Sequence, residues 1–89
     1  MDKINKLQKQ LFTILSGVSD NNIRFTDLCN ILVALGFSCR IKGDHHIYYK
    51  NEIAEIINIQ PIGNKAKAYQ VKQVRGIILK YRLGDGTNV

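Results

Sequence analysis

The sequence contains no tryptophan, one proline, one methionine and two cysteines in 89 residues. Two cysteines, Cys29 and Cys39, make neither a disulfide framework nor a four-ligand zinc site. Free cysteine is among the most buried residue types, so both are expected as small core residues. Long apolar runs are also missing. No uncharged apolar stretch approaches the ~20 residues that a membrane span needs, so the expected partners include no membrane spanned by the chain. Met1 to Lys9 carry charge throughout, with no apolar run behind them that ends in a small-residue cleavage site, so the expected location is the cytoplasm. Acidic residues are few, 7 against 13 Lys plus Arg, for a net charge of +6. The hydrophobic share, 45%, is too high for disorder. A single domain, residues 1–89, is expected. At this size it buries only roughly 60% of the surface its unfolded chain exposes, which argues against a deep substrate cavity or a large multi-step active site.

The positive charge is unevenly placed. Residues 1–36 hold Lys3, Lys6, Lys9 and Arg24 against Asp2, Asp20 and Asp27, a net +1; residues 37–63 balance Arg40, Lys42 and Lys50 against Asp44, Glu52 and Glu55. In residues 64–89, Lys65, Lys67, Lys72, Arg75, Lys80 and Arg82 face only Asp85, which leaves +5. Such a segment is an electrostatic footprint for a polyanion, nucleic acid first and a membrane surface or acidic protein second. On charge alone, a solvated lysine-rich helix face is the competing reading.

Hydrophobic spacing orders the elements. Ile4, Leu7, Leu11, Ile14 and Leu15 recur every three or four residues and predict a helix from Lys3 to Leu15, ended at Gly17. Ser19 to Asn22 then reads as a loop. Thr26 is the expected cap of a second helix with Leu28, Ile31, Leu32 and Leu35 on its buried stripe, stopped at Gly36. From Phe37 the period falls to two: Phe37, Cys39 and Ile41 alternate with Ser38, Arg40 and Lys42, then Gly43-Asp44 precedes a second run from His45 to Lys50. That is a hairpin. A third strand is expected over Ile53 to Gln60, ended by Pro61. Ile62-Gly63-Asn64 then turns the chain, and Asn64 is placed to cap a last helix with Tyr69, Val74, Ile77, Ile78 and Tyr81 on one stripe. Leu83 to Gly86 closes it. Helices gathered on one face of three antiparallel strands make a two-layer α+β domain whose other sheet face stays open.

His45-His46 is the one titratable feature suited to catalysis near neutral pH. With Gly43 and Asp44 as the two loop residues, Lys42 pairs with His45, Ile41 with His46, Arg40 with Ile47 and Cys39 with Tyr48. Paired residues share a face. Phe37, Cys39 and Ile41 are expected to point at the helices, so His46 and Tyr48 join them while His45 lies with Arg40 and Lys42 on the open face; a one-residue slip would exchange the two histidines. Adjacent strand residues point to opposite faces, so His45 and His46 cannot both hold one ion, and no cluster of cysteine or carboxylate completes a site. No metal or cofactor is implied. No glycine-rich phosphate loop is present, and no serine or cysteine has a defensible base.

Phe25-Thr26-Asp27-Leu28 leading to Leu35-Gly36-Phe37, then Gly43-Asp44-His45-His46-Ile47-Tyr48, Ile57-Asn58-Ile59-Gln60-Pro61, Gly63-Asn64-Lys65-Ala66-Lys67 and Tyr69-Gln70-Val71-Lys72-Gln73-Val74-Arg75 closely resemble the HicA family of toxins, also described as YcfA-like mRNA interferases. The resemblance runs from about Phe25 to Leu83. It implies a fold like the double-stranded-RNA-binding domain, with helix, three strands and helix over residues 25–83, preceded by an extra helix and loop in residues 1–24 and followed by a tail, 84–89. The implied activity is ribosome-independent cleavage of mRNA, restrained by a HicB-type antitoxin. The implied catalytic residue is the histidine after a Gly-Ser pair, here His45, and Asp44 stands where the family usually has serine. Gly43-Asp44 still suits the turn, but it sets a carboxylate beside a phosphate substrate.

RNA carries its own nucleophile, the 2′-hydroxyl, so one imidazole that accepts its proton or protonates the leaving oxygen contributes typically 10²–10⁴-fold. Arg40 and Lys42 are placed to hold the phosphate and stabilise developing charge. Lys65, Lys67 and Lys72 belong to the basic segment expected to bind RNA, with Asn64 to Lys67 offering backbone donors and two lysines at a helix start. Two other classes stay open: a non-catalytic RNA-binding module that reads shape through phosphate and 2′-hydroxyl contacts, and an interaction protein that docks a partner through Ile47 and Tyr49. Tyr49 alone is a thin platform for stacking bases.

Overall fold

A computed structural model describes residues 5–84. The expected Lys3, Ile4, Asp85 and Gly86 positions, and the tail after Gly84, lie outside them. Helix α1 (Lys6–Ser16) opens with a capping box: Asn5 Oδ1 accepts from Gln8 N at 2.8 Å and Gln8 Oε1 accepts from Asn5 N at 3.1 Å. This exchange satisfies two helix-end donors and fixes the first helical residue at Lys6, later than the apolar spacing predicts. Gly17, at φ 74°, ends the helix. Leu11 and Ile14 enter the common core. A 3-10 turn at Asp20–Asn22 occupies the expected loop.

Helix α2 (Phe25–Ala34) begins one residue before the expected cap Thr26; Arg24 takes the cap position without a side-chain hydrogen bond. The chain needs no serine- or threonine-type cap to satisfy the first donor, because Phe25 N donates to Asn64 O at 3.0 Å. Leu28, Ile31 and Leu32 are fully buried, as the helical stripe predicts.

Strands β1 (Ser38–Lys42), β2 (His45–Tyr49) and β3 (Ile57–Ile59) form an antiparallel sheet in that order. Gly43 has φ 63° and Asp44 has no positive φ, so the turn carries its glycine at the first central position, the II′ arrangement. The third strand is shorter than the expected Ile53 to Gln60. Residues 53–56 are drawn off the ladder onto the last helix, where Glu55 is held by Lys80 at 2.8 Å and by Tyr81 at 2.6 Å.

Pro61 does not end the β-structure. It starts a second, small hairpin, β4 (Pro61–Ile62) and β5 (Lys65–Ala66), and Arg24 bridges to Lys65. Asn64 therefore sits in a turn and does not cap the last helix. Helix α3 (Ala68–Tyr81) starts after Lys67. This later start moves the buried stripe to Gln70, Val71, Val74, Ile77 and Ile78, leaving Tyr69 64% exposed instead of buried.

The architecture is α+β in two layers: helix, three antiparallel strands and helix, preceded by an additional helix. Tyr48, Ile57 and Ile59 form the sheet's contribution to a core shared by all three helices. Cys39 and Ile41 do not join it. They share the face of Tyr48 and His46 through pairing, but β1 is an edge strand exposed along its whole length. Cys39 is accordingly exposed and is not the core residue expected, whereas Cys29 is half-buried and packs against the core. No described helix is long and apolar enough to cross a membrane.

Candidate functional site

The site is built by strand pairing. The observed register sets Lys42 opposite His45, Ile41 opposite His46, Arg40 opposite Ile47 and Cys39 opposite Tyr48, as the two-residue loop predicts. Residues two apart on a strand share a face. His45 therefore lies with Arg40, Lys42, Ile47 and Tyr49 on the face away from the helices. His46 turns inward, its ring edge-on to Phe25 at 4.9 Å and 79°. Ile47 is half-buried and Tyr49 is 44% exposed.

The His45 side chain is 45% exposed and held on both sides. Nδ1 lies 3.1 Å from Asn58 Oδ1. An amide oxygen only accepts, so this bond places the ring proton of the neutral imidazole on Nδ1 and makes Nε2 its basic nitrogen. Nε2 lies 3.8 Å from Asp44 Oδ1. Asp44 is itself fixed by Gln60, whose Nε2 donates to Asp44 Oδ2 at 3.1 Å. That hydrogen bond is the main cause holding the Asp44 carboxyl below the ordinary aspartate range; His45 and Lys67 add smaller electrostatic contributions. Behind Gln60, the buried Gln70 amide brackets its backbone in the orientation that satisfies both ends, donating to Gln60 O at 3.1 Å and accepting from Gln60 N at 3.2 Å. The chain of contacts runs from the α3 core to the turn beside the histidine.

Asn58 and Gln60 escaped the reading of the sequence as site residues. The signal was present: Ile57 and Ile59 are core residues, and alternation sends Asn58 to the open face opposite them.

The basic residues divide. Arg40 and Lys42 are exposed on the His45 face and have no ion-pair partner among the described residues. Lys67 is near enough to Asp44 to act on its carboxyl. Lys65 is directed elsewhere, its Nζ donating to Asn22 Oδ1 at 2.7 Å. Lys72 lies beside the 17–22 loop, where it acts on Asp20. The expected pairing of Lys65 with Lys67 at a helix start is corrected: Lys65 belongs to a hairpin, and Lys67 alone adjoins α3. Arg75 and Lys80 serve structure. Arg75 binds Asp20 through two bonds, at 2.8 and 3.0 Å, and Lys80 binds Glu55.

Among the described residues, no three or more His, Cys, Asp and Glu side chains gather as a metal site. No protein-family model, curated protein or solved structure matches the chain.

Proposed function

We propose that this chain is a HicA-type toxin, a metal-independent endoribonuclease that cleaves mRNA and is restrained by an acidic HicB-type antitoxin. One arrangement carries the reading: a half-exposed imidazole held at Nδ1 by Asn58, with Nε2 beside Asp44, on an open sheet face that also carries two unpaired cations. Nε2 accepts the 2′-hydroxyl proton as the 2′-oxygen attacks phosphorus. The bond from phosphorus to the 5′-oxygen of the next nucleotide breaks, that oxygen takes a proton from solvent water and leaves as a hydroxyl, and the His45 imidazolium returns its proton to solvent. Arg40 and Lys42 stabilise the charge that develops on the phosphoryl oxygens. The products are a 2′,3′-cyclic phosphate and a 5′-hydroxyl.

An acidic partner lying on this face would cover His45 and compete with RNA by sterics and charge, without a distant conformational change. Lys65 lies off this face, so the informative reversals are Arg40→Glu and Lys42→Glu.

The test is cleavage of synthetic mRNA by purified protein in the presence of chelator, followed by analysis of product ends. Cleavage by the parent, lost in His45→Ala with circular dichroism unchanged, is expected. Retained cleavage in folded His45→Ala, or activity that needs added magnesium, refutes the reading. A non-catalytic RNA-binding module would bind in a salt-sensitive manner and give no product.

A further inference from the structure

A second basic region lies away from His45. A cleft of about 570 Å³ opens between α1, the segment that leads into α2 and the β4–β5 turn. Lys6 and Lys9 line it from α1, Arg24 from the entry to α2 and Lys65 from β5, against one carboxylate, Asp27. Among the described residues, Lys6, Lys9 and Arg24 have no ion-pair partner. Lys65 is oriented by its bond to Asn22. The floor is rigid: Arg24 and Lys65 are bridged in antiparallel fashion, and Ala66 N donates to Ile23 O at 2.9 Å.

Lys6, Lys9, Arg24 and Lys65 against Asp27 leave three net positive charges along one cleft. Lys6 and Lys9 stand at i and i+3, about 5–6 Å apart at their Cβ atoms, and the other cations come from different elements. A single small anion would leave most of them unmatched, whereas a run of phosphates meets them in turn. The cleft also connects to the His45 site. Lys65 and Lys67 are two residues apart, roughly 6–7 Å along extended chain, and Lys67 follows Ala66, whose pairing partner Pro61 follows Gln60, the residue that holds Asp44 beside His45.

We infer that this cleft is an RNA-backbone site, which holds the phosphates of a single strand whose scissile bond lies at His45. The inference rests on the proposed endoribonuclease reading. It gives α1, which lies outside the region of family resemblance, a role in substrate binding.

The experiment compares the full chain with Lys6→Glu/Lys9→Glu, both exposed positions on α1, and with Arg24→Gln. Binding is measured with a 2′-O-methyl single-stranded RNA 12-mer, which lacks the nucleophile, across a salt series. Cleavage is measured with the unmodified 12-mer, and folding by circular dichroism. The double reversal is expected to weaken binding more than tenfold at low salt, to reduce the salt slope by about 1.4 for two lost phosphate contacts, and to raise KM while leaving kcat at saturating RNA near the parent's. Arg24→Gln gives a smaller change in the same direction. Parental affinity and slope in the folded double reversal overturn the inference, even where the parent cleaves RNA normally. The failure of the functional reading looks different: a parent that binds the 12-mer through Lys6 and Lys9 and releases no product leaves the cleft standing and removes the nuclease. A parent with no affinity for the 12-mer removes both.

Discussion

Replacing Asn58 by alanine tests whether the geometry around His45 is catalytic machinery or surface decoration. The Nδ1 to Oδ1 bond of 3.1 Å fixes the ring orientation and holds the proton on Nδ1, so that Nε2 faces outward as a base. A neutral hydrogen bond at a solvent-accessible site contributes about 0.5–1.5 kcal/mol net. Converted to rate at 1.36 kcal/mol per factor of ten, its loss lowers kcat about 2- to 12-fold. Removing the imidazole itself, in His45→Ala, costs typically 10²–10⁴-fold. The ordering of the two variants is thus part of the expectation. KM should hardly move in Asn58→Ala, because Arg40 and Lys42 are untouched. Asn58→Asp retains an acceptor for Nδ1 and should recover most of the lost kcat. Nitrogen-15 NMR supplies a readout that does not depend on cleavage: the Nδ1-protonated tautomer should dominate the neutral His45 ring in the parent and give way to a mixture in Asn58→Ala. An unchanged tautomer signal together with parental kcat in Asn58→Ala would refute the positioning role.

Asp44→Ser should raise kcat/KM for RNA severalfold at low salt, with the gain fading as salt rises, because the carboxylate 3.8 Å from Nε2 repels an incoming phosphodiester; a lower rate in this variant would mean that Asp44 assists the imidazole. Arg75→Met should destabilise the fold by about 2 kcal/mol in urea unfolding, less than the 3–5 of a fully buried pair, because the Arg75 and Asp20 side chains remain 20% and 11% exposed; an unchanged midpoint would show that this ion pair is dispensable. Glu55 is held at about 2, from an ordinary 4.5, chiefly by its hydrogen bond to Lys80 and then by Tyr81. A lowered folded-state value means the contribution is complete above about 4.5 and is lost as pH falls from there towards 2, so Glu55→Gln should flatten the melting-temperature profile across that window. Truncating Ile57, which is 0% exposed, to alanine should cost about 2–5 kcal/mol, read by the same urea unfolding.

Local rules carried much of the architecture. The helical stripe Leu28, Ile31 and Leu32 needed only its three- and four-residue spacing, and the Gly43-Asp44 loop set the whole β1–β2 register, because a two-residue turn leaves one pairing compatible with it. From that register alone, His45 and His46 fall on opposite faces. Tertiary structure decided what local rules leave open. Alternation gave Cys39 and Ile41 the correct face, but burial depends on whether the opposing layer reaches that strand, and β1 is an edge. Asn64 has the chemistry of a helix cap, yet Gly63 turns the chain early enough for β4 and β5 to pair, and Asn64 O is taken by Phe25 N. Charge counting placed six cations in residues 64–89, but only folding brings Arg75 to Asp20 and Lys80 to Glu55, across 55 and 25 residues of sequence. The same folding carries Lys65 away from His45 and sets it in the cleft lined by Lys6 and Lys9. Spacing along the chain reports which face a side chain takes; the partner it meets there is set by elements distant in sequence.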